Sequence, residues 1–229
     1  MNHTCVNTPT LNQKLSEDWF QRLGFQKVEH PDLILYTDGQ IIVEINLAKF
    51  ARPGLKIYNS DWDETIKKLE KETKVITIED HYLFSDPSGS WIYLINDTTT
   101  ITVEKKKCFS TLGNFAGLSL EVIDMNKSLR IWEILGYTVD SGSVEQGWLS
   151  MKNEEGFSIS LMKPNCCPHI FYNPSLTYFN GGKNLPVIQG IRDAGIDIKE
   201  EITTFNKEGI VDNVILQEPG GYGFFIFND

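Results

Sequence analysis

The sequence is poor in cysteine and contains no long apolar run. Its four cysteines form no Cys-x-x-Cys pair, and the adjacent Cys166 and Cys167 suit neither a simple disulfide nor a tetrahedral zinc site. This usage is typical of reduced thiols in a cytoplasmic protein. No stretch of about 18 consecutive apolar residues occurs, which excludes a transmembrane helix. The start of the chain lacks a basic segment followed by an apolar stretch, so we do not expect a secretory signal.

Basic residues are also scarce. The chain has 21 Lys and Arg against 31 Asp and Glu, a formal net charge of −10. This balance disfavours a nucleic-acid partner, because binding to a phosphate backbone depends on clustered cations. The sequence also lacks a Ser-His-Asp signature, a phosphate-binding loop and a dinucleotide-binding fingerprint. We therefore expect an unknown small molecule as the partner, and neither a nucleic acid nor a membrane.

What the sequence does contain is a repeat. Residues 19–25 read WFQRLGF and residues 131–137 read IWEILGY, and their glycines, Gly24 and Gly136, are 136 − 24 = 112 positions apart in a chain of 229. A helix that runs into Leu-Gly-aromatic ends there, because glycine adopts the left-handed conformation without a Cβ penalty. The spacing predicts two related halves.

Each half divides again into two units with the order strand, helix, strand, strand, strand. The turns DPSG (86–89) and EPGG (218–221) precede the last strand of the second unit in each half. The predicted fold class is α+β, with four βαβββ modules paired into two curved mixed β-sheet domains and helices on the outer faces. The boundaries are 1–96 for the first domain (modules 1–47 and 51–96), 97–114 for a linker that includes the basic run 105–107, and 115–229 for the second domain (modules 115–164 and 174–229).

This organisation resembles the vicinal oxygen chelate superfamily, which includes glyoxalase I, bleomycin-resistance proteins and extradiol dioxygenases. The stretches that carry the resemblance are HTCVNTPTLNQKLSEDWFQRLGF (3–25), SDPSGSWIYLIN (85–96), GLSLEVIDMNKSLRIWEILGY (117–137) and QEPGGYGFFIFND (217–229). It covers nearly the whole chain apart from the linker and an irregular insertion at 165–174. The resemblance implies that a ligand lies on a concave sheet face, but the superfamily hosts many chemistries.

The resemblance also implies where a metal would bind. Enzymes of the superfamily place His or Gln at the start of the first strand of a module and Glu on its last strand. In the first module His3 and Glu44 match those positions. The matching residues in the later modules are Gly54 and Tyr93, Gly117 and Ser160, and Leu176 and Phe225. A catalytic site needs about three protein ligands, so this set is incomplete. No cofactor is assigned, and a divalent metal (Zn, Ni, Fe or Mn) stays open.

The candidate ligand-binding residues are charged or aromatic. Alternation in IIVEI directs Glu44 away from the aliphatic face, so it is a candidate catalytic acid or base. Arg52 is a candidate anchor for a carboxylate or phosphate. The aromatic candidates for the cleft are Trp91, Tyr93, Trp148, Tyr178 and Phe225. Packing between the two halves is the alternative role for these rings.

Three functions remain open from the sequence. The favoured one is the binding of a small molecule in an aromatic-lined concave cleft without a complete metal site. The second is a metal-dependent lyase, isomerase or dioxygenase that uses His3 and Glu44. The third is a structural or interaction module whose clefts are filled by its own side chains. Whether the chain is an enzyme is undecided. A monomer is favoured and a dimer stays open, since four modules in one chain complete the pairings that shorter relatives reach by dimerising.

Overall fold

The computed structural model describes residues 3–97 and 108–228, which form sixteen strands and four helices. In the first half these are β1 (His3–Pro9), α1 (Gln13–Arg22), β2 (Gln26–Val28), β3 (Leu35–Thr37), β4 (Ile42–Asn46), β5 (Gly54–Asn59), α2 (Asp63–Leu69), β6 (Ile76–Ile78), β7 (His81–Ser85) and β8 (Trp91–Asn96). In the second half they are β9 (Phe115–Glu121), α3 (Met125–Ile134), β10 (Thr138–Ser143), β11 (Trp148–Lys152), β12 (Ser158–Met162), β13 (Ser175–Phe179), α4 (Asn184–Asp193), β14 (Ile198–Ile202), β15 (Asn213–Gln217) and β16 (Gly223–Phe227).

The strands form two eight-stranded mixed sheets, one in each half. Their orders are β2-β3-β4-β1-β5-β8-β7-β6 and β10-β11-β12-β9-β13-β16-β15-β14. Within each module the first and last strands pair in parallel, and the two modules of a sheet meet through an antiparallel pair, β1 with β5 or β9 with β13. This confirms the four βαβββ modules and shows that neighbouring modules in the sequence form one sheet.

The helices α1 and α3 repeat each other down to their ends. The side chain of Asn12 caps α1 and that of Asp124 caps α3, each accepting a hydrogen bond from a backbone N–H three residues later. Both helices stop at glycines with positive φ, 87° at Gly24 and 89° at Gly136. The caps and the stops are each 112 positions apart, so the repeat that the sequence predicted sets the bounds of both helices.

The hydrophobic core is continuous across both sheets. One face of each sheet carries the helices, and its aliphatic side chains belong to a single buried cluster that includes residues from both halves. The ring of Trp19 on α1 lies 4.8 Å from the ring of Phe224 on β16, centroid to centroid. The helix-bearing faces of the two sheets therefore pack together, and we call the opposite face of each sheet its open face.

The described part of the predicted linker joins this packing. The backbone N–H of Phe109 donates to the carbonyl of Asp38 at 3.0 Å, and that of Thr111 donates to the carbonyl of Leu23 at 2.8 Å. Leu112 is fully buried. Residues 98–107, which contain the basic run 105–107, lie outside the described residues. None of the described helices is both long and apolar enough to cross a membrane.

Candidate functional site

The open face of the first sheet carries the most polar cluster predicted from the sequence. The register of β1 with β5 sets Cys5 opposite Lys56, and the register of β5 with β8 sets Lys56 beside Tyr93. On the other side of β1, Glu44 lies beside Asn7. Because side chains alternate along each strand, these residues share one face of the sheet. Their chemistry determines what this face can bind.

Glu44 and Lys56 form a buried ion pair across β1. The Nζ of Lys56 lies 2.6 Å from the Oε1 of Glu44, and the two side chains are only 13% and 4% exposed respectively. The second carboxylate oxygen of Glu44, Oε2, is buried and has no hydrogen-bond partner among the described residues. Removing one member of such a pair leaves a buried charge without a partner, which is strongly destabilising.

Two buried groups beneath this pair are held in their neutral forms. Burial raises the pKa of Tyr58 far above its usual value, and the negative charge of Glu44 raises it further. Burial likewise raises the pKa of the Cys5 thiol, and the Glu44 charge adds to this effect. A thiol in this state is neither a nucleophile nor a ready metal ligand, because both roles require the thiolate.

Tyr93 is held in place by the loop before β5. The backbone N–H of Arg52 donates to the Tyr93 hydroxyl at 3.1 Å, and the Arg52 carbonyl accepts from the Nδ2 of Asn7 at 2.8 Å. Burial raises the pKa of Tyr93, while the Arg52 hydrogen bond and charge oppose that rise. The hydroxyl proton of Tyr93 therefore remains on the oxygen and is available to a ligand.

Only part of this open face is accessible. Cys5, Leu35, Ile42 and Tyr58 form a separate buried cluster that fills the side toward β3 and β4. On the side toward β8, Trp91 and Tyr93 are half-buried and lie two positions apart on the same face. The accessible region toward β8 thus includes two aromatic rings beside the Glu44–Lys56 pair.

The remaining predicted aromatic residues do not join this region. Tyr178 was predicted to line the cleft, and this is wrong: it is fully buried in the core on the helix-bearing face, where its hydroxyl donates to the Oδ2 of Asp38 at 2.8 Å. In β13 the open face is occupied by Ser175, Thr177 and Phe179, because Leu176 and Tyr178 follow the opposite parity. Tyr178 therefore packs between the two halves, which is the alternative role that the sequence left open for these rings.

Trp148 and Phe225 lie in the second sheet. Trp148 is 42% exposed and pairs with Met162 across β11 and β12. Phe225 is half-buried, and its ring centroid lies 5.5 Å from that of Phe227. Since Trp91 and Tyr93 belong to the first sheet, the predicted ligand-binding aromatics are divided between two separate faces and do not build one cleft.

The insertion at 165–174 is ordered across the second sheet, which the sequence did not predict. The N–H of Asn165 donates to the Oε1 of Glu121 on β9 at 3.1 Å. The Nδ1 of His169 lies 2.7 Å from the Oε1 of Glu200 on β14, which is four strands from β9 in the sheet order. The N–H of Ile170 also donates to Glu200 at 2.7 Å. We call residues 165–174 the strap.

The residues at the positions of the superfamily's metal ligands do not fit a metal centre. Strand register gives the positions that correspond between the first and second modules. Glu44 corresponds to Tyr93, at an offset of 93 − 44 = 49 positions, and at the same offset Cys5 corresponds to Gly54. The first-strand position of the first module is therefore held by Cys5, and His3 lies two residues earlier. In the same way the fourth module offers Ser175 where the sequence predicted Leu176.

This donor set has only one carboxylate, and Lys56 already neutralises it. Across residues 3–97 and 108–228, no group of three or more His, Cys, Asp or Glu side chains has a geometry that suits a metal ion. The side chain of His3 lies outside the described residues, so its role as a ligand stays a prediction.

Comparison with known proteins gives the fold. No family model and no curated protein matches the chain. Among solved structures it is similar to the 2,3-dioxygenase LapB from Pseudomonas sp. KL28, with 13% identity, 99% of this chain and 91% of that one covered, and a TM-score of 0.60. It is also similar to the Mn(II)-bound glyoxalase from Novosphingobium aromaticivorans, with 12% identity, 99% of this chain and 80% of that one covered, and a TM-score of 0.59. A catechol 2,3-dioxygenase is similar with 13% identity, 98% of this chain and 86% of that one covered, and a TM-score of 0.54. The chain has the vicinal oxygen chelate fold, as the resemblance predicted.

Proposed function

We propose that the chain binds a small aromatic compound bearing oxygen substituents on the open face of its first sheet, and that it does so without a metal centre. The observation that carries this proposal is the 2.6 Å contact between the Lys56 ammonium and Glu44. In the enzymes that this chain resembles, the Glu on the last strand of a module coordinates a metal ion. Here an ammonium group from the neighbouring module neutralises that carboxylate.

The accessible groups fit such a ligand. Trp91 and Tyr93 offer ring faces for stacking, which favours a planar aromatic body. The Tyr93 hydroxyl is a hydrogen-bond donor, and the Lys56 ammonium has three N–H groups, of which Glu44 accepts one. Hydroxyl or carbonyl oxygens on an aromatic ring are the natural acceptors for these donors. Catechol is a suitable first probe because a structural neighbour is a catechol 2,3-dioxygenase.

The binding test is a calorimetric titration of the full chain with catechol, with and without EDTA. We expect saturable binding that EDTA leaves unchanged. Trp91→Leu is expected to weaken it at least tenfold, while Trp148→Leu, the matched change on the second sheet, leaves it intact. Absence of saturable binding, or equal losses in both variants, would contradict the proposal.

A second candidate is the metal-dependent lyase, isomerase or dioxygenase that uses His3 and Glu44. The unpartnered Oε2 of Glu44 favours it, since a buried oxygen without a hydrogen bond is a potential ligand. Elemental analysis of the purified chain and of its His3→Ala and Glu44→Gln variants separates the two. Stoichiometric metal that both substitutions remove would replace the first proposal with this one.

A further inference from the structure

A second concavity lies where the two halves meet. The segment leading into α1, the loop between β4 and β5, and the turn at 218–221 enclose a cleft of about 360 Å³, a volume within the range of small-ligand sites. We call it the junction cleft. It shares neither Trp91, Tyr93, Glu44 nor Lys56 with the site on the open face, so occupation of one does not require the other.

The back wall of the junction cleft is built from close contacts between the halves. A Cβ added to Gly220 would lie 2.1 Å from the carbonyl oxygen of Pro9, so only glycine allows this approach. Just beneath it, the Thr8 hydroxyl donates to the Oε2 of Glu218 at 2.5 Å. The Tyr222 hydroxyl donates to the carbonyl of Gly54. These contacts fix the turn against the first sheet, so the wall is preformed.

Two cations line this cleft without a carboxylate partner. Among residues 3–97 and 108–228, neither Lys49 nor Arg52 forms an ion pair. The guanidinium of Arg52 donates to its neighbour's carbonyl, that of Ala51, at 2.8 Å. Two cations that line the same cleft without a carboxylate partner, in a chain with a formal charge of −10, indicate a site for an anion.

The same cleft exposes large apolar side chains. Leu11 is 97% exposed and Leu15 is 52% exposed, and both line it. On the adjoining loop Phe50 is 79% exposed, with the Nζ of Lys49 at 5.8 Å from its ring centroid. Clustered exposed apolar residues of this size mark binding surfaces. A ligand that fits both features has an apolar body and one negative group.

We propose that the junction cleft binds a small organic carboxylate. Its apolar body lies against Leu11 and Leu15, and its carboxylate pairs with the guanidinium of Arg52 and the ammonium of Lys49. A carboxylate matches the planar fork of Arg52, which offers two parallel N–H donors. This site is additional to the one on the open face and does not depend on it.

The test is a calorimetric titration of the full chain with sodium phenylacetate and, in parallel, with phenylacetamide, which has nearly the same shape and no charge. We expect saturable binding of phenylacetate and at least tenfold weaker binding of phenylacetamide. Arg52→Gln is expected to weaken phenylacetate binding at least tenfold. Lys14→Gln, the same change of charge on α1 outside the cleft, is the control and is expected to change nothing.

Further titrations test the contact with the apolar body of the ligand and the preference for a carboxylate over other anions. Leu11→Ser is expected to weaken phenylacetate but not acetate, and its exposure makes an effect on folding negligible. Equal binding of phenylacetamide, phenylacetate binding that survives Arg52→Gln, or tighter binding of inorganic phosphate would each overturn the proposal. Catechol binding is expected to survive Leu11→Ser, since Leu11 lines the junction cleft and has no contact with the site on the open face, so the two proposed sites fail independently.

Discussion

Glu218 accepts a hydrogen bond from the hydroxyl of Thr8, 210 positions earlier in the chain, at 2.5 Å. A related contact joins the halves in the other direction, where Asp86 in the first half accepts a hydrogen bond from the hydroxyl of Ser128 on α3 in the second half. Glu218 and Asp86 open the related turns EPGG and DPSG, and both carboxyl groups are almost fully buried. The two halves are thus joined through two buried acids whose protonation affects the stability of the whole chain.

The first prediction concerns the pH dependence of folding. Burial raises the pKa of Glu218 from 4.5 to about 7, and hydrogen bonds from Thr8 and Gly220 only partly oppose it. Between these two values the folded state holds a proton that the unfolded state has lost. The free energy of unfolding should therefore fall by roughly 3 kcal/mol as the pH rises through that window. Glu218→Gln should remove this decline.

Urea denaturation at several pH values between 5 and 8 measures the effect. Glu208→Gln, the same change at an exposed position, is the control and should keep the wild-type slope. If the Glu218→Gln variant retains that slope as well, Glu218 is not the titrating group.

The second prediction concerns the buried pair on the open face. Lys56→Met leaves the Glu44 carboxylate buried without its partner, so it should lower the free energy of unfolding by about 3–5 kcal/mol. The double variant with Glu44→Gln should recover most of this loss, because no unpaired charge remains. Chemical denaturation of the single and double variants gives the coupling.

The pair Glu64–Lys67 is a matched control for this cycle. Its nitrogen–oxygen distance is also 2.6 Å, but both side chains are largely exposed on α2. Water solvates either charge after its partner is removed, so the same substitutions there should have a negligible effect. Similar losses at both pairs would mean that burial does not decide the strength of the Glu44–Lys56 contact.

The sequence predicts the modules well because their evidence is local. Helical spacing, the Leu-Gly-aromatic stops and the turn residues each lie within one element, and they repeat. The partner of Glu44 was not predictable in this way. Lys56 lies on β5 and reaches Glu44 on β4 across β1, which requires the register of two separate strand pairs. No local pattern specifies that register.

Two other misses have different causes. For Tyr178 the evidence was present: in SLTYF, Leu176 and Tyr178 alternate with Ser175 and Thr177, and this predicts a core position just as IIVEI did for the first module. For the strap it was absent, since His169 and Glu200 lie 31 positions apart, with β13 and α4 between them in the chain.

The third prediction concerns the strap. Burial acts to raise the pKa of Glu200, but hydrogen bonds from the Ile170 N–H and from His169 outweigh it and hold the pKa below its usual value. Glu200 is therefore ionised at neutral pH and anchors the strap. Glu200→Ala should increase hydrogen exchange across residues 165–174 and leave exchange in the core of β9 and β13 unchanged.

Hydrogen exchange read by mass spectrometry resolves this region. Glu201→Ala changes the next residue, which pairs with Arg192 on the surface, and should leave the strap protected. Faster exchange in β9 and β13 of the Glu200→Ala variant would show that Glu200 supports the sheet as a whole and not the strap alone.

The last prediction tests how closely β5 and β8 approach beneath the accessible aromatic rings. A Cβ added to Gly54 would lie 1.8 Å from the carbonyl oxygen of Trp91, so Gly54→Ala forces the parallel pair apart. We expect a loss of about 1–3 kcal/mol in the free energy of unfolding. Because Trp91 would move with β8, catechol binding should weaken as well. Gly190→Ala is the comparison: its added Cβ would meet only a side-chain methyl of Thr111, which can rotate away, so catechol binding should be retained. Unchanged stability and catechol affinity in Gly54→Ala would mean that the strands adjust without moving Trp91.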